Sequence, residues 1–194
     1  MKLYDTLSTE KREFTPNSDV VKMYVCGPNL YGPCHVGHAL SYIYFDVLRR
    51  YLEYVGYQVY QVQNFTDIED RIIEVSNSEG LSLGELSNTY IQRFMEEMDA
   101  LGVQRAHEYP RATHYIGEMI KIVEDLIAKG HAYEIEGDVY FRVRHFQTYG
   151  RLSKRPIEEM QAGTRIEVDL RKEDPIDFSF LKKCTKSLSL VMHL

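Results

Sequence analysis

The stretch Gly32 to Ser41, "GPCHVGHALS", places two histidines, His35 and His38, three residues apart around Gly37, where turn residues give way to an apolar period. Imidazole N–H groups donate hydrogen bonds. In the first turn of a helix they would stand beside free backbone N–H groups and the positive end of the helix dipole. Side chains three apart share a face, so the pair suits the non-bridging oxygens of a phosphate. Negative charge grows on those oxygens when the α-phosphate of a nucleotide is attacked, and one well-placed donor stabilises such a transition state by roughly 3 kcal/mol. Gly37 has no side chain to obstruct a flat ring. Two other readings stay open: a metal pair, although histidines four apart are the more usual helical ligands, and a capping or packing role without chemistry.

A strand before the histidines and a helix after them are needed to hold this turn. "VVKMYVC", Val20 to Cys26, is short, β-branched and apolar, and it runs into Gly-Pro; it reads as a buried strand. From Val36 to about Val55, Leu40, Ile43, Tyr44, Val47, Leu48, Tyr51 and Leu52 recur at intervals of three and four. That period predicts a helix of about five turns, with Gly56 at its C-terminal cap. "YQVYQVQNF", Tyr57 to Phe65, alternates as a second strand. Strand, helix and strand in so short a span predict a βαβ crossover and a parallel sheet. Ligands of such sheets bind beyond the carboxyl ends of the strands. "CGPNLYGPCHVGH" falls there, stiffened by Gly27, Pro28, Gly32 and Pro33.

Further helices are expected over Asp67 to Ser78, Leu83 to Leu101 and Thr113 to Lys129, the last ended by Gly130. "HAYEIEGDVYFRV" alternates on both sides of Glu136-Gly137-Asp138 and predicts a β-hairpin. A short helix from Ile157 to Gln161 and a polar, extended segment to Phe178 follow. The expected fold class is α/β: a Rossmann-like parallel sheet, first half only, over residues 1–66, an inserted helical and β-hairpin subdomain over 67–178, and a divergent tail over 179–194. Asp67, Glu69 and Asp70 read as charge at a helix N-terminus.

The formal charge of −6 argues against a surface given over wholly to nucleic acid. Local basic pairs remain, namely Arg49 with Arg50, Arg142 with Arg144, and "GRLSKRP" from Gly150, each with a bland reading as solvated charge. No run approaches the ~20 apolar residues that cross a bilayer, and the N-terminus lacks an apolar export core. A soluble, cytoplasmic protein with no membrane partner is expected. The three cysteines, Cys26, Cys34 and Cys184, are better read as thiols or a metal ligand than as a disulfide framework.

The run Met23 to Ile73 resembles the N-terminal half of the catalytic domain of cysteinyl-tRNA synthetases, with "HVGH" standing as the HIGH motif of the class I enzymes. The likeness continues through "LYDTLSTEKREF", "YPRATHYIGEMIKIVEDLIAKGHAY", "GDVYF", "YGRLS" and "EDPIDF", and so covers residues 2–178. It implies a class I synthetase fold and ATP-dependent activation of cysteine to cysteinyl-adenylate, followed by transfer to tRNA(Cys). On this resemblance His35, Gly37 and His38 contact ATP, and His35 and His38 act in catalysis. Tyr24, Gly27 and Thr66 match positions lining the amino-acid pocket. Cys26 takes the place of one ligand of a Zn2+ that binds the substrate thiolate, a soft metal that separates cysteine from serine better than an apolar pocket does. Without the family, Cys26 reads as a small buried residue at a strand end. Cys34 reads as inert.

After Phe178 the resemblance fails. The family's three other zinc ligands, the second half of its sheet, its KMSKS loop and its anticodon-binding helices have no counterpart here, so an incomplete zinc site and impaired activity are expected. "KCTKSL", residues 183–188, imitates KMSKS in the wrong place and reads as chance. Permissible codons for "LSLVMHL", read one base over, give Glu-Pro-Gly-His-Ala-Pro, similar to the family's loop; a frameshifted or truncated reading frame would explain the tail. Competing functions are a non-catalytic nucleotide-binding fragment or relic, the cysteine–amino-sugar ligase of mycothiol synthesis, and a small nucleotidyltransferase, from which a second basic signature is expected.

Overall fold

The structure, a computed structural model, describes residues 1–157, 169–183 and 190–192. Beyond its first residue the short helix expected at Ile157 to Gln161 falls outside the described residues, as do Cys184 and nearly all of "KCTKSL". The chain divides into two compact units, Pro16–Tyr115 on the one hand and Met1–Thr15 with Ile116–Leu194 on the other.

The second of these begins with strands β1 (Lys2–Asp5) and β2 (Glu10–Glu13), which form an antiparallel hairpin. Neither shows apolar alternation, so neither strand was expected.

In the Pro16–Tyr115 unit, β3 (Val20–Val25) leads through a loop to helix α1 (Val36–Tyr54) and back to β4 (Gln58–Gln63). β3 and β4 are parallel, with Val20 opposite Gln58 and Val25 opposite Gln63, as the βαβ reading expects. Helices α2 (Asp70–Glu79) and α3 (Leu83–Ala100) follow. Ser82 and Glu85 form a reciprocal capping box at the start of α3. Val25, Leu30, Tyr42, Phe65, Ile72, Leu86, Phe94 and Met98 make one buried core. α2 and α3 therefore share their core with β3 and α1, and this compact unit runs on to Tyr115. The reason is packing: Phe94 of α3 meets both Tyr42 and Phe65 edge to face.

α1 buries Tyr42, Asp46, Arg49 and Leu52, whereas Val36, Leu40, Tyr44, Val47 and Tyr51 are exposed. The apolar period predicted the helix, but the face it marks is not the one packed here. Polar groups are tolerated on the packed face because each is paired. Asp46 accepts from the Gln104 N–H at 2.9 Å and from Arg50 at 2.6 Å. Arg49 donates to Glu53 and to the Arg105 carbonyl, both at 2.8 Å. Arg49 and Arg50 thus knit helix to loop and do not form a free basic patch.

Asp67 differs from its expected role as helix-terminal charge. It is 3% exposed and accepts from the Thr113 N–H at 2.9 Å and from its hydroxyl at 2.6 Å, while its carbonyl takes the buried Ser87 hydroxyl. Asp67→Ala strands a backbone donor and should cost about 2 kcal/mol in urea unfolding. Asp67→Asn, which keeps an acceptor for the N–H, should cost roughly half that.

In the other unit, α4 (Ile116–Ala128) packs on the predicted hairpin, β5 (Ala132–Ile135) with β6 (Asp138–Phe141). β7 (Phe178–Lys183) and β8 (Leu190–Met192) extend the antiparallel sheet in the order β5-β6-β7-β8. Arg142 and Arg144 are paired with Glu173 and Asp174 at 2.7 and 2.6 Å. Among the described residues no helix is long and apolar enough to cross a membrane.

Candidate active site at the turn before α1

The carboxyl ends of β3 and β4 are held together beyond their last ladder pair. The Leu30 N–H donates to the Thr66 carbonyl at 3.2 Å, and the Thr66 N–H donates to the Pro28 carbonyl at 3.3 Å. Leu30 is buried in the core and anchors the loop. Arg71 of α2 stacks over the ring of Tyr31 in the same loop, 4.4 Å from its centroid. From α3, Glu97 accepts the Cys34 N–H at 3.3 Å and is itself held by Arg93 at 2.8 Å. The turn is therefore fixed from the sheet, from α2 and from α3.

His35 is the N-cap of α1, in an extended conformation, and His38 is the third helical residue. The Gly37 N–H donates to His35 Nδ1 at 3.1 Å, and the His35 N–H donates to His38 Nδ1 at 3.3 Å. The two histidines thus form a reciprocal capping box, the role usually shared by Ser or Thr with Glu. Their rings stack with centroids 3.9 Å apart and planes 17° from parallel. With each Nδ1 accepting a backbone N–H, the neutral ring carries its proton on Nε2. The capping and phosphate readings are therefore compatible: one nitrogen of each ring caps the helix, and the other remains a donor beside the helix N-terminus.

Gly37 matters for steric reasons. A Cβ there would lie 3.0 Å from His35 Cε1 and 3.1 Å from Nδ1, close enough that the ring would have to give by a few tenths of an ångström.

Burial, and next the neighbouring His35, lower the His38 pKa, with Glu97 opposing them. Below its ordinary value of about 6.5, an unfolded His38 binds protons that the folded one refuses. The stability of this turn is therefore present above that value and is lost as pH falls through the lowered folded value. An NMR titration should find His38 below 6.5, with the His35 amide shifting in step, because a protonated Nδ1 no longer accepts its N–H.

A shallow cleft borders this turn, lined by Pro28, Leu30, Cys34, His38, Arg93 and Glu97 among others. Burial and the adjoining Glu97 push the Cys34 thiol up to about 12, which favours its protonated form. Cys26 is exposed at the end of β3 and is not the buried residue of the alternative reading.

Among the described residues no group of three or more His, Cys, Asp and Glu side chains is arranged to hold a metal ion. A catalytic zinc takes three protein ligands. The described residues do not make that site, and Cys26 offers one ligand at most.

Tyr24, Gly27 and Thr66, singled out separately in the sequence, meet through a residue that was not, Asn64. Its Oδ1 accepts from the Gly27 N–H at 2.8 Å and from the Tyr24 hydroxyl at 2.9 Å, and its Nδ2 donates to Thr66 Oγ1 at 3.3 Å. The only sequence signal was an amide residue at the carboxyl end of a parallel strand. Glu97 gave none, since its helix was read for periodicity alone.

Residues 13–190 match the family described as tRNA synthetases class I (C) catalytic domain, so the match runs past Phe178, where the resemblance was expected to fail. Over 183 residues, 94% of this chain, the sequence is 50% identical to a cysteine–tRNA ligase of Caldicellulosiruptor saccharolyticus, and it spans 39% of that relative's length. A solved methionyl-tRNA synthetase of Mycobacterium tuberculosis, in complex with methionyl-adenylate, aligns with a TM-score of 0.53 at 20% identity, over 63% of this chain and 25% of that one. A leucyl-tRNA synthetase of Agrobacterium radiobacter K84, in a ternary complex with tRNA and LeuAMS, aligns with a TM-score of 0.54 at 22% identity, over 69% and 18%. At these identities the two structures establish a shared α/β fold.

Proposed function

Because the chain belongs to the family of class I (C) tRNA synthetase catalytic domains, we propose that it is the N-terminal catalytic part of a cysteine–tRNA ligase and that its "HVGH" turn binds ATP. The stacked His35–His38 pair carries this reading: two Nε2–H donors at the N-terminus of a long helix, beyond the end of a parallel strand. In the reaction a cysteine carboxylate oxygen attacks the α-phosphorus of ATP. A new O–P bond forms, the bond to the bridging oxygen breaks, and pyrophosphate leaves with its electron pair. Charge grows on the α-phosphate oxygens, and His35 and His38 answer it without releasing a proton.

Tyr24, Gly27 and Thr66 form the amino-acid pocket in this reading, and Cys26 is available as one sulfur ligand toward zinc. The name of the relative at 50% identity supports cysteine and tRNA(Cys) as partners in place of an amino sugar. Transfer to tRNA belongs to the whole ligase, in the cytoplasm. The test is a thermal shift: MgATP should raise the melting temperature by several degrees at saturation, and His38→Ala should abolish the rise. An unchanged melting temperature in the unaltered chain would contradict the reading.

A further inference from the structure

The loop that leads into α1 has few backbone donors with which to hold itself, since Pro28 and Pro33 have no N–H to give. Among the described residues, its N–H groups reach other elements at Leu30, bonded to the Thr66 carbonyl, and at Cys34, bonded to Glu97. Cys34 immediately precedes the N-cap His35, so the second tie fixes the point at which the chain enters the helix. Glu97 can serve as its anchor because Phe94 and Met98, on either side of it along α3, are buried in the core. Its two oxygens divide the work. Oε1 accepts from Arg93 Nε at 2.8 Å, and Oε2 accepts from the Cys34 N–H at 3.3 Å. The guanidinium offsets the carboxylate charge. Without that offset a full negative charge would face the cleft that His38 also lines, beside donors assigned to phosphate.

We propose that Glu97, its charge offset by Arg93, is a positioning residue for nucleotide binding: it holds the histidine turn in its donor geometry through the Cys34 N–H while adding little repulsion toward a triphosphate. The inference rests on the reading of this turn as an ATP site. Glu97 touches no nucleotide in this scheme. It acts through the backbone of Cys34 on the paired rings of His35 and His38.

Three substitutions separate the parts. Glu97→Ala removes the acceptor. Glu97→Gln keeps an amide oxygen for the Cys34 N–H and drops the charge, while Arg93, which is half-exposed, turns to water. Both changes free Arg93, so the difference between them isolates the acceptor. Arg93→Met keeps the acceptor and uncovers its charge. The Kd for MgATP is read by amide NMR titration at a temperature where every variant is folded, with hydrogen exchange at the Cys34 and His35 amides and urea unfolding alongside. Glu97→Ala should speed exchange at both amides and bind MgATP roughly tenfold more weakly than Glu97→Gln, a loss of preorganisation. Its stability to urea should change little, because the Arg93–Glu97 pair is partly exposed. Glu97→Gln should keep both amides protected and bind MgATP at least as tightly as the unaltered chain. Arg93→Met should keep the amides protected and bind MgATP more weakly, the more so at low salt.

Equal affinity in Glu97→Ala and Glu97→Gln, with the unaltered chain binding MgATP, would mark a merely structural role and overturn the proposal while the ATP reading stands. So would Arg93→Met binding as tightly as the unaltered chain. Failure of the unaltered chain to bind MgATP would instead remove the ATP reading, and the proposal with it.

Discussion

Gly27→Ala destabilises the Pro16–Tyr115 unit by roughly 3 kcal/mol in urea unfolding, at the upper end of the usual range for overpacking. A Cβ on Gly27 would lie 1.4 Å from the backbone carbonyl oxygen of Asn64 and 2.6 Å from its carbon. No rotamer relieves a clash with main chain, so the ends of β3 and β4 must separate. Separation strains the Gly27 bond to Asn64, the pairing of Leu30 and Thr66, and the entry to the histidine turn. Gly84→Ala is the control. Gly84 lies in the first turn of α3 with nothing within 4 Å of a new Cβ, and alanine there should stabilise by about 0.5–1 kcal/mol. Similar effects from both substitutions would mean that the close approach at Gly27 is not what holds the strand ends.

The second large effect is on chemistry. In the ligase reading, His38→Ala lowers cysteine-dependent exchange of pyrophosphate into ATP by roughly 10²–10³-fold, the usual loss on removing one preorganised donor from a transition state. The same change also removes the acceptor of the His35 N–H and one ring of the stack, a capping loss of about 1 kcal/mol. His38→Asn separates the two contributions. Its amide oxygen can cap the His35 N–H, while no group replaces the Nε2 donor. Stability should return and exchange should not. If His38→Asn restored exchange, capping alone would be the role of His38.

Much of this was legible in the sequence because local chemistry decides it. The β-branched run from Val20, the period after Val36 and the alternation around Glu136-Gly137 each state their element within a few residues. The turn that leads from β3 into α1 and its two histidines was placed by the same signals.

What escaped depends on partners distant in sequence. Which face of α1 is buried is decided by Gln104, Arg105 and Gln61, which hydrogen-bond Asp46 and Arg49. Asp67 looks like helix-terminal charge until Thr113 is brought to it. Asn64 belongs to no motif, and its importance lies in touching residues 24, 27 and 66 at once. The β1–β2 hairpin has no apolar face to announce it, and its connection places Thr9 at φ 62°, a left-handed conformation that glycine or asparagine usually marks. His35 was expected inside the helix, but as the N-cap it spends one nitrogen on Gly37, a division of labour that depends on ring orientation.

The central claim is that His35 and His38 cap α1 through Nδ1 and present Nε2–H to the phosphates of ATP. Long-range 15N–1H NMR of the imidazoles at pH 7, with and without MgATP, tests it most directly. The structure requires both rings in the Nε2–H form before nucleotide is added, and both Nε2 resonances should move on adding MgATP while the Nδ1 resonances stay nearly fixed. Rings protonated on Nδ1, or Nε2 resonances indifferent to saturating MgATP, would contradict it.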